Sequence, residues 1–221
     1  MSRTLKIALL SGVLVLTTLA GGASLIVNQT KVSPDAVRSS VTRSEADVDK
    51  AWKLPAASTF KKELTWQSNP SLCGPASVAN VLRSLGETAT SENAVLAGTG
   101  RCWTGICFMG LSLDELAEVT RLKTTRSVTV LRDLSPDQLQ QHLRRANETG
   151  RRYIVNFSRK EIFGAGAGHH SPIGGYLEAE DLVFVLDVNR DFQPWLIERA
   201  RLFSAIDTWD GTKKRGLLLI E

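Results

Sequence analysis

The chain is short of the residues on which cross-linked or metal-built proteins depend. It has three cysteines and three histidines in 221 residues. Three cysteines are too few for a disulfide scaffold. They stand at 73, 102 and 107, with no Cys-x-x-Cys and no clustered histidine beside them, so no metal site is expected. Positive charge is scarce for a nucleic-acid binder. The net charge is +4, Arg3 and Lys6 belong to the extreme N-terminus, and the rest is scattered. There is no internal repeat and no low-complexity tract. What remains is an ordinary globular composition, 43% apolar and 23% charged, enough for the core of one domain with room for an appendage.

There is one long hydrophobic run. Residues 7–27, IALLSGVLVLTTLAGGASLIV, are uncharged and come after Arg3 and Lys6. A basic stretch, an apolar stretch and then small residues read as a secretory signal. The run is also long enough to span a bilayer as one helix. A cleaved signal and an uncleaved anchor both stay open, and no cysteine follows to carry a lipoprotein anchor. In either case the folded part is expected to be exported, periplasmic or anchored to the inner membrane facing the periplasm. Any membrane contact would run through residues 7–27. Residues 28–59 are polar and lack clear periodicity, which suggests a linker or an arm laid on the domain. The domain itself is expected to begin near Phe60.

Residues 67–85, QSNPSLCGPASVANVLRSL, organise the rest of the chain. Val78, Val81, Leu82 and Leu85 fall at i, i+3, i+4 and i+7, the spacing of a helix with a buried face. Pro75 is tolerated only in a first helical turn. Cys73 therefore stands at or just before the helix N-terminus, where unpaired backbone N–H groups and the positive end of the helix dipole favour thiolate over thiol. By itself this pattern fits a nucleophile and a small buried hydrophobe equally well. Ser112-Leu-Asp-Glu115 is a capping box opening a helix to about Leu122. Residues 127–131, SVTVL, read as a strand. Ser135-Pro-Asp-Gln138 opens a second capped helix to about Asn147, with Gly150 a plausible C′ residue. From there the period becomes that of β-structure: residues 153–157, then 171–177 and 182–188 as a hairpin around the turn at 178–181, and 216–221 last. Helices followed by an antiparallel-looking sheet indicate an α+β fold.

Thiol catalysis needs a base, a group to orient the base, and donors for an oxyanion. His169 lies in the glycine-rich GAGAGHHSPIGGY and would start the first hairpin strand. Asp187, near the end of the return strand, would come back beside it and accept from imidazole Nδ1. Gln67, six residues before Cys73, and the Cys73 backbone N–H would be the oxyanion donors. Each of these residues alone fits a structural role better than a catalytic one. The combination is far more specific. His170 has no assignable role, and His142 is expected to face solvent. Cys102 and Cys107 could close a small disulfide loop or remain thiols, and bridging would leave Cys73 as the odd thiol.

The segments QSNPSLCGPASVANVL, NFSRKEIFGAGAGHHSPIGGY, LVFVLDVNR and AIDTWDGTKKRGLLLI resemble the phytochelatin synthase family, of the papain-like cysteine peptidase clan. The likeness covers about residues 60–221. It implies a papain-like fold, with an N-terminal helical part packed on an antiparallel sheet. It also implies Cys73 as nucleophile, His169 as base, Asp187 as orienting carboxylate and Gln67 as oxyanion donor. Asn156, Gly168, Arg190, Asp210 and Arg215 match positions lining the family's substrate site, where Arg suits a carboxylate and Asp an α-ammonium. The implied chemistry is glutathione gamma-glutamylcysteinyl transfer. The thiolate attacks the Cys–Gly peptide of glutathione, Gly leaves, and a γ-Glu-Cys acyl-enzyme goes to water or to a second glutathione. No cofactor is implied for hydrolysis, and a cadmium or zinc thiolate of glutathione is an expected activating substrate.

The sequence departs from the family in two places. The Cys-rich extension tied to metal sensing is absent after residue 221, as in short bacterial members that lean toward glycine removal. VNRDFQPW is shorter than the family's turn, with Phe192 or Gln193 where a tyrosine is expected. The expected partners are glutathione and related γ-glutamyl peptides, with no nucleic acid, and a homodimer stays open. Two other readings compete: a cysteine protease like the double-glycine leader peptidases, and a module that binds glutathione or a metal thiolate without turnover.

Overall fold

A computed structural model describes residues 31–102, 107 and 110–221, so the expectation for residues 7–27 lies outside the described residues. The expected α+β fold is present. Six antiparallel strands form the main sheet: β1 (Val128–Leu131), β2 (Arg152–Ser158), β3 (Gly168–Leu177), β4 (Leu182–Val185), β5 (Trp195–Glu198) and β8 (Gly216–Ile220). Their order across the sheet is β1-β8-β2-β3-β4-β5. Two short strands, β6 (Trp209–Asp210) and β7 (Lys213–Lys214), make a separate ribbon.

The sheet is covered on both faces rather than one. On the first face lie α2 (Glu45–Trp52), α3 (Cys73–Ser84), α4 (Glu92–Leu96) and α5 (Leu113–Arg121). They bury Ala51, Val78, Leu82, Val95 and Leu116 against Ile154, Phe184 and Leu218. On the second lie α1 (Pro34–Ser40), α6 (Pro136–Arg145), α7 (Arg159–Phe163) and α8 (Arg199–Ile206). They bury Val37, Leu139, Ile162 and Leu202 against Tyr153, Val155, Val185 and Leu217. The reason is written in the strands. RYIVNF and GLLLI do not alternate apolar with polar, and every residue of each is buried. A strand apolar on both sides must be covered on both sides.

Helix α3 goes further than its periodicity indicates. All ten residues from Cys73 to Leu82 are buried, so the helix runs through the interior instead of presenting one face. Both capping boxes form. The helix after Ser135 ends at Arg145 with Ala146 as its cap, and Gly150 is not among the glycines of positive φ, so the expected C′ role fails. Strand β3 is longer than expected and β4 shorter. A bulge at Gly174 shifts their register, and a Cβ there would come within 2.6 Å of the Phe184 ring. The bulge moves Tyr176 onto the second face beside Ile173, with which it otherwise could not share a side.

Of the two expectations for this segment, residues 31–59 fit the arm laid on the domain and not the linker. Ser33 and Ser44 cap α1 and α2, and Thr42 pairs with Leu196 through hydrogen bonds of 2.8 and 2.9 Å, covering the free edge of β5. Val37 and Ala51 are at most 1% exposed, and Trp52 meets Phe184 edge to face. The periodicity was invisible because each helix is about two turns long and buries one residue outright. Ala51→Arg should therefore lower unfolding stability by on the order of 3 kcal/mol, read from urea denaturation. A change under about 0.5 kcal/mol, the ordinary range for surface substitutions, would return this segment to the status of a loose arm.

Candidate active site

Cys73 is the first residue of α3, 6% exposed and free, with Pro75 in the first turn as the sequence requires. Burial pushes its thiol up, but the charge and hydrogen bonding of His169, and then of His170, outweigh this and hold it well below the ordinary thiol range. A shift in this direction favours the thiolate, which is the reactive form.

His169 and Asp187 meet although 18 positions separate them. Leu186 N–H still bonds to Pro172 at 2.9 Å, and Asp187 comes just past the paired part of β4. His169 Nε2 lies 3.0 Å from Asp187 Oδ1. The carboxylate thus takes Nε2 rather than the expected Nδ1, and Nδ1 is left to serve the sulfur. Asp187 is fully buried and fully satisfied. Oδ1 also accepts from Asn189 N–H (2.9 Å) and Arg159 Nη2 (3.3 Å), and Oδ2 from Trp195 Nε1 (3.2 Å). Burial works to raise its pKa, but the charges of His169 and Arg159 and these hydrogen bonds depress it far below the carboxylate range. His169 shows the converse. Burial and Arg159 pull its pKa down, yet Asp187 and Cys73 bring it above the ordinary histidine range. A thiol lowered beside an imidazole raised is the direction that favours a thiolate–imidazolium pair.

A cavity of about 510 Å³ opens over the sulfur, lined by Cys73, Ser71, Gly168, His170, Asp210 and Arg215, among others. Two of its lining residues belong to a closed polar network. Arg215 Nη1 donates to Asn156 Oδ1 at 2.7 Å, Asn156 Nδ2 to Asp210 Oδ2 at 2.9 Å, and Arg215 Nη2 lies 3.2 Å from Asp210 Oδ1. Burial lowers the basicity of Arg215, while Asp210 and Cys73 work to raise it, so the guanidinium senses the sulfur. A Cβ at Gly168 would lie 2.2 Å from Arg215 Nη1, so a side chain there would displace the guanidinium.

Of the residues singled out in the sequence, Cys73, His169 and Asp187 converge, Gly168, Asp210 and Arg215 line the cavity, and Asn156 is buried behind it, bonded to Asp210 and Arg215. Arg190 does not. It is exposed, its nearest carboxylate is Glu63 at 3.8 Å, and it lies over the Trp66 ring, away from the cavity lining. Gln67 is held close by: its backbone N–H bonds to Val188 (2.9 Å) and its Nε2 donates to Asn69 O (3.2 Å). Its Oε1 is buried without a partner. The side chain makes no hydrogen bond to the sulfur. His142 is half-buried, with Nδ1 3.1 Å from the Tyr153 hydroxyl, not turned to solvent. Cys102 and Cys107 form a disulfide, and Cys107 N–H bonds to Ser71 Oγ on the loop before the nucleophile. Three contributors carried no usable signal. Arg159 reads as a charge after a strand, Trp195 as an apolar core residue, and His170 as a neighbour of the base. Among the described residues no group of three or more His, Cys, Asp or Glu is placed to hold a metal ion.

Comparison with known proteins agrees with this arrangement. A family model described as phytochelatin synthase matches residues 27–217. The chain is 23% identical over 187 residues to a glutathione gamma-glutamylcysteinyltransferase of Schizosaccharomyces pombe, covering 74% of this chain and 42% of the relative. It is 29% identical over 177 residues to glutathione gamma-glutamylcysteinyltransferase 1 of Triticum aestivum, covering 70% of this chain and 33% of the relative. The matched stretch is thus less than half of each relative. Among solved structures, a putative C39-like peptidase from Bacillus anthracis superposes with a TM-score of 0.53 at 11% identity, covering 73% of this chain and 96% of the other. That likeness is one of fold.

The ion pair makes a directional expectation. Asp187 raises His169, and His169 in turn lowers Cys73. Asp187→Asn should therefore shift thiolate formation to higher pH and loss of the imidazolium to lower pH, narrowing the window from both sides. Thiolate absorbance near 240 nm measured against pH reads the first limb. An unmoved midpoint would separate Asp187 from the sulfur's ionisation.

Proposed function

Because this chain belongs to the phytochelatin synthase family, we propose that it transfers the γ-glutamylcysteinyl group of glutathione through a thioester on Cys73. The observation that supports this best is the buried Cys73–His169–Asp187 series, whose Cys73 lines a cavity together with Arg215 and Asp210. The γ-glutamyl end of glutathione carries an α-carboxylate and an α-ammonium. A guanidinium beside a carboxylate is the matching pair.

The thiolate attacks the carbonyl carbon of the Cys–Gly peptide. The oxyanion forms at the α3 N-terminus, where the Cys73 backbone N–H would donate to it, and Gln67 would be the second donor through the amide hydrogen it does not give to Asn69. His169 gives its Nδ1 proton to the glycine nitrogen, the C–N bond breaks and glycine leaves. The γ-Glu-Cys acyl group stays on sulfur. His169, now neutral and held through Nε2 by Asp187, takes a proton from water, and the thioester opens to γ-Glu-Cys. A glutathione α-amine in place of water gives the longer peptide. Hydrolysis is the main activity in this reading and transpeptidation the second.

The basic and apolar residues 1–27 favour an exported enzyme, and the Cys102–Cys107 disulfide suits an oxidising compartment. A cadmium or zinc thiolate of glutathione would enter as substrate, not as a resident metal.

Incubation with glutathione should release glycine and γ-Glu-Cys, with a transient mass increase on Cys73 equal to γ-Glu-Cys less water. Cys73→Ala should lower glycine release by at least about 10³-fold, and Arg215→Ala should act mainly on KM. Wild-type speed from Cys73→Ala would end this mechanism. Saturable glutathione binding with no adduct and no glycine would make the protein a binding module. Cleavage of a double-glycine leader peptide in preference to glutathione would make it a leader peptidase.

A further inference from the structure

Two consecutive imidazoles act on the sulfur, and the reaction above uses one of them. Successive residues of a strand point to opposite faces. His169 pairs with Phe157 and packs on its ring, while His170 pairs with Asn156 on the face where α3 lies. Cys73 sits where β3 begins, so both rings reach it. His170 is 3% exposed, its Nδ1 is 3.8 Å from Cys73 Sγ, and it lines the cavity, which His169 does not. The Ser77 hydroxyl sets this contact, since its Oγ lies 2.7 Å from Cys73 O and 3.0 Å from His170 O, tying the two backbones together.

His170 Nε2 is buried without a hydrogen-bond partner. Among the described residues, the one side-chain hydrogen bond the ring makes is to the sulfur. An unsatisfied buried polar atom costs about 1–3 kcal/mol, and an apolar side chain of similar volume would avoid that cost. The imidazole is therefore unfavourable as packing, and its one satisfied contact is with the nucleophile. We propose that His170 is a further catalytic residue, a second hydrogen-bond donor whose Nδ1–H holds the Cys73 thiolate against the cavity. No proton is transferred to or from it. The thiol proton resides on His169, His170 shares its own in a hydrogen bond, and acylation of the sulfur removes the acceptor. The other charged groups around the sulfur are His169 with Asp187 and Arg159 behind it, and Arg215 with Asp210 in the cavity lining.

The role of His170 in turnover rests on the acyl-transfer reading, but its effect on the sulfur can be measured without glutathione. Alkylation of Cys73 by iodoacetamide would be measured across pH in the full chain, in His170→Phe and in His170→Asn. On the acid side of the wild-type midpoint, His170→Phe should react about ten-fold more slowly, the loss expected for one hydrogen bond to a charged group, and should equal wild type on the alkaline side. His170→Asn, which restores a donor, should recover part of the loss. A His170→Phe profile superimposable on wild type would overturn the proposal. Should that variant not fold, ¹⁵N spectra of the wild-type imidazoles decide the matter. The His170 Nδ1–H signal should move when Cys73 is alkylated, and an unmoved signal would equally overturn it.

Discussion

The fold is held to one demand, that a carboxylate with no access to water stay ionised. Asp187 is 0% exposed, and an unpaired charge there would cost several kcal/mol. It is tolerated because four donors from three parts of the chain converge on its two oxygens: His169 at the start of β3, Arg159 at the start of α7, and Asn189 and Trp195 after β4. Those donors cannot be brought together by a flexible loop. They need β2, β3, β4 and β5 in one register, because Arg159 leaves the end of β2, His169 sits on β3, Asp187 comes after β4 and Trp195 begins β5. Burial of the sheet on both faces supplies that rigidity, and the nucleophile's chemistry is inherited from it.

The loop that carries the nucleophile is joined to the same frame. Gln67 N–H bonds to Val188, the residue after Asp187, so the chain before Cys73 and the chain after the carboxylate move together. Ser71, which lines the cavity, accepts from the backbone of Cys107 and bonds to Asn69. One end of the disulfide, Cys107, is therefore tied to a residue lining the site, and Ser77 ties His170 to the nucleophile's backbone. Catalytic geometry of this kind tolerates displacements of well under an ångström, which explains why so many backbone groups are spent on short cross-links around one sulfur.

How much of this could be read from sequence depended on the range of the forces involved. The α3 start, both capping boxes and the strands around Phe157, Tyr176 and Leu218 rest on local pattern and were legible. Cys73, His169 and Asp187 were legible together because a cysteine opening a helix, a histidine among glycines and a returning aspartate repeat a known string. What failed was non-local. The two short helices of residues 31–59 owe their order to docking, not propensity. Arg190 matched a motif position but turns outward to Glu63 and Trp66. The ring nitrogen that Asp187 takes depends on the side from which it approaches, and the bulge at Gly174, which no alternation pattern contains, lies between them. Arg159 and Trp195 serve the site through a carboxylate 28 and 8 positions away, a relation with no periodicity.

Arg159 gives the tautomer its direction. Its Nη2 stands 3.0 Å from His169 Nε2 and 3.3 Å from Asp187 Oδ1. A guanidinium has donors and no acceptor, so it competes with the ring for the carboxylate or with the carboxylate for the ring. If Nε2 accepted from Arg159, Asp187 would lose its shortest side-chain donor, and the imidazole would carry its one proton on Nδ1 with no lone pair there to receive another. If Nε2–H donates to Asp187, Arg159 Nη2 spends its donor on the same oxygen, and the carboxylate keeps all four of its donors. The second arrangement also leaves Nδ1, the nitrogen not held by Asp187, as the one free to gain and lose a proton. The stacking of Arg159 over Phe192, 4.6 Å from the ring centre, holds the guanidinium in the plane where that choice is made. Proton traffic at the sulfur is in this way decided by a cation that touches neither the sulfur nor the cavity.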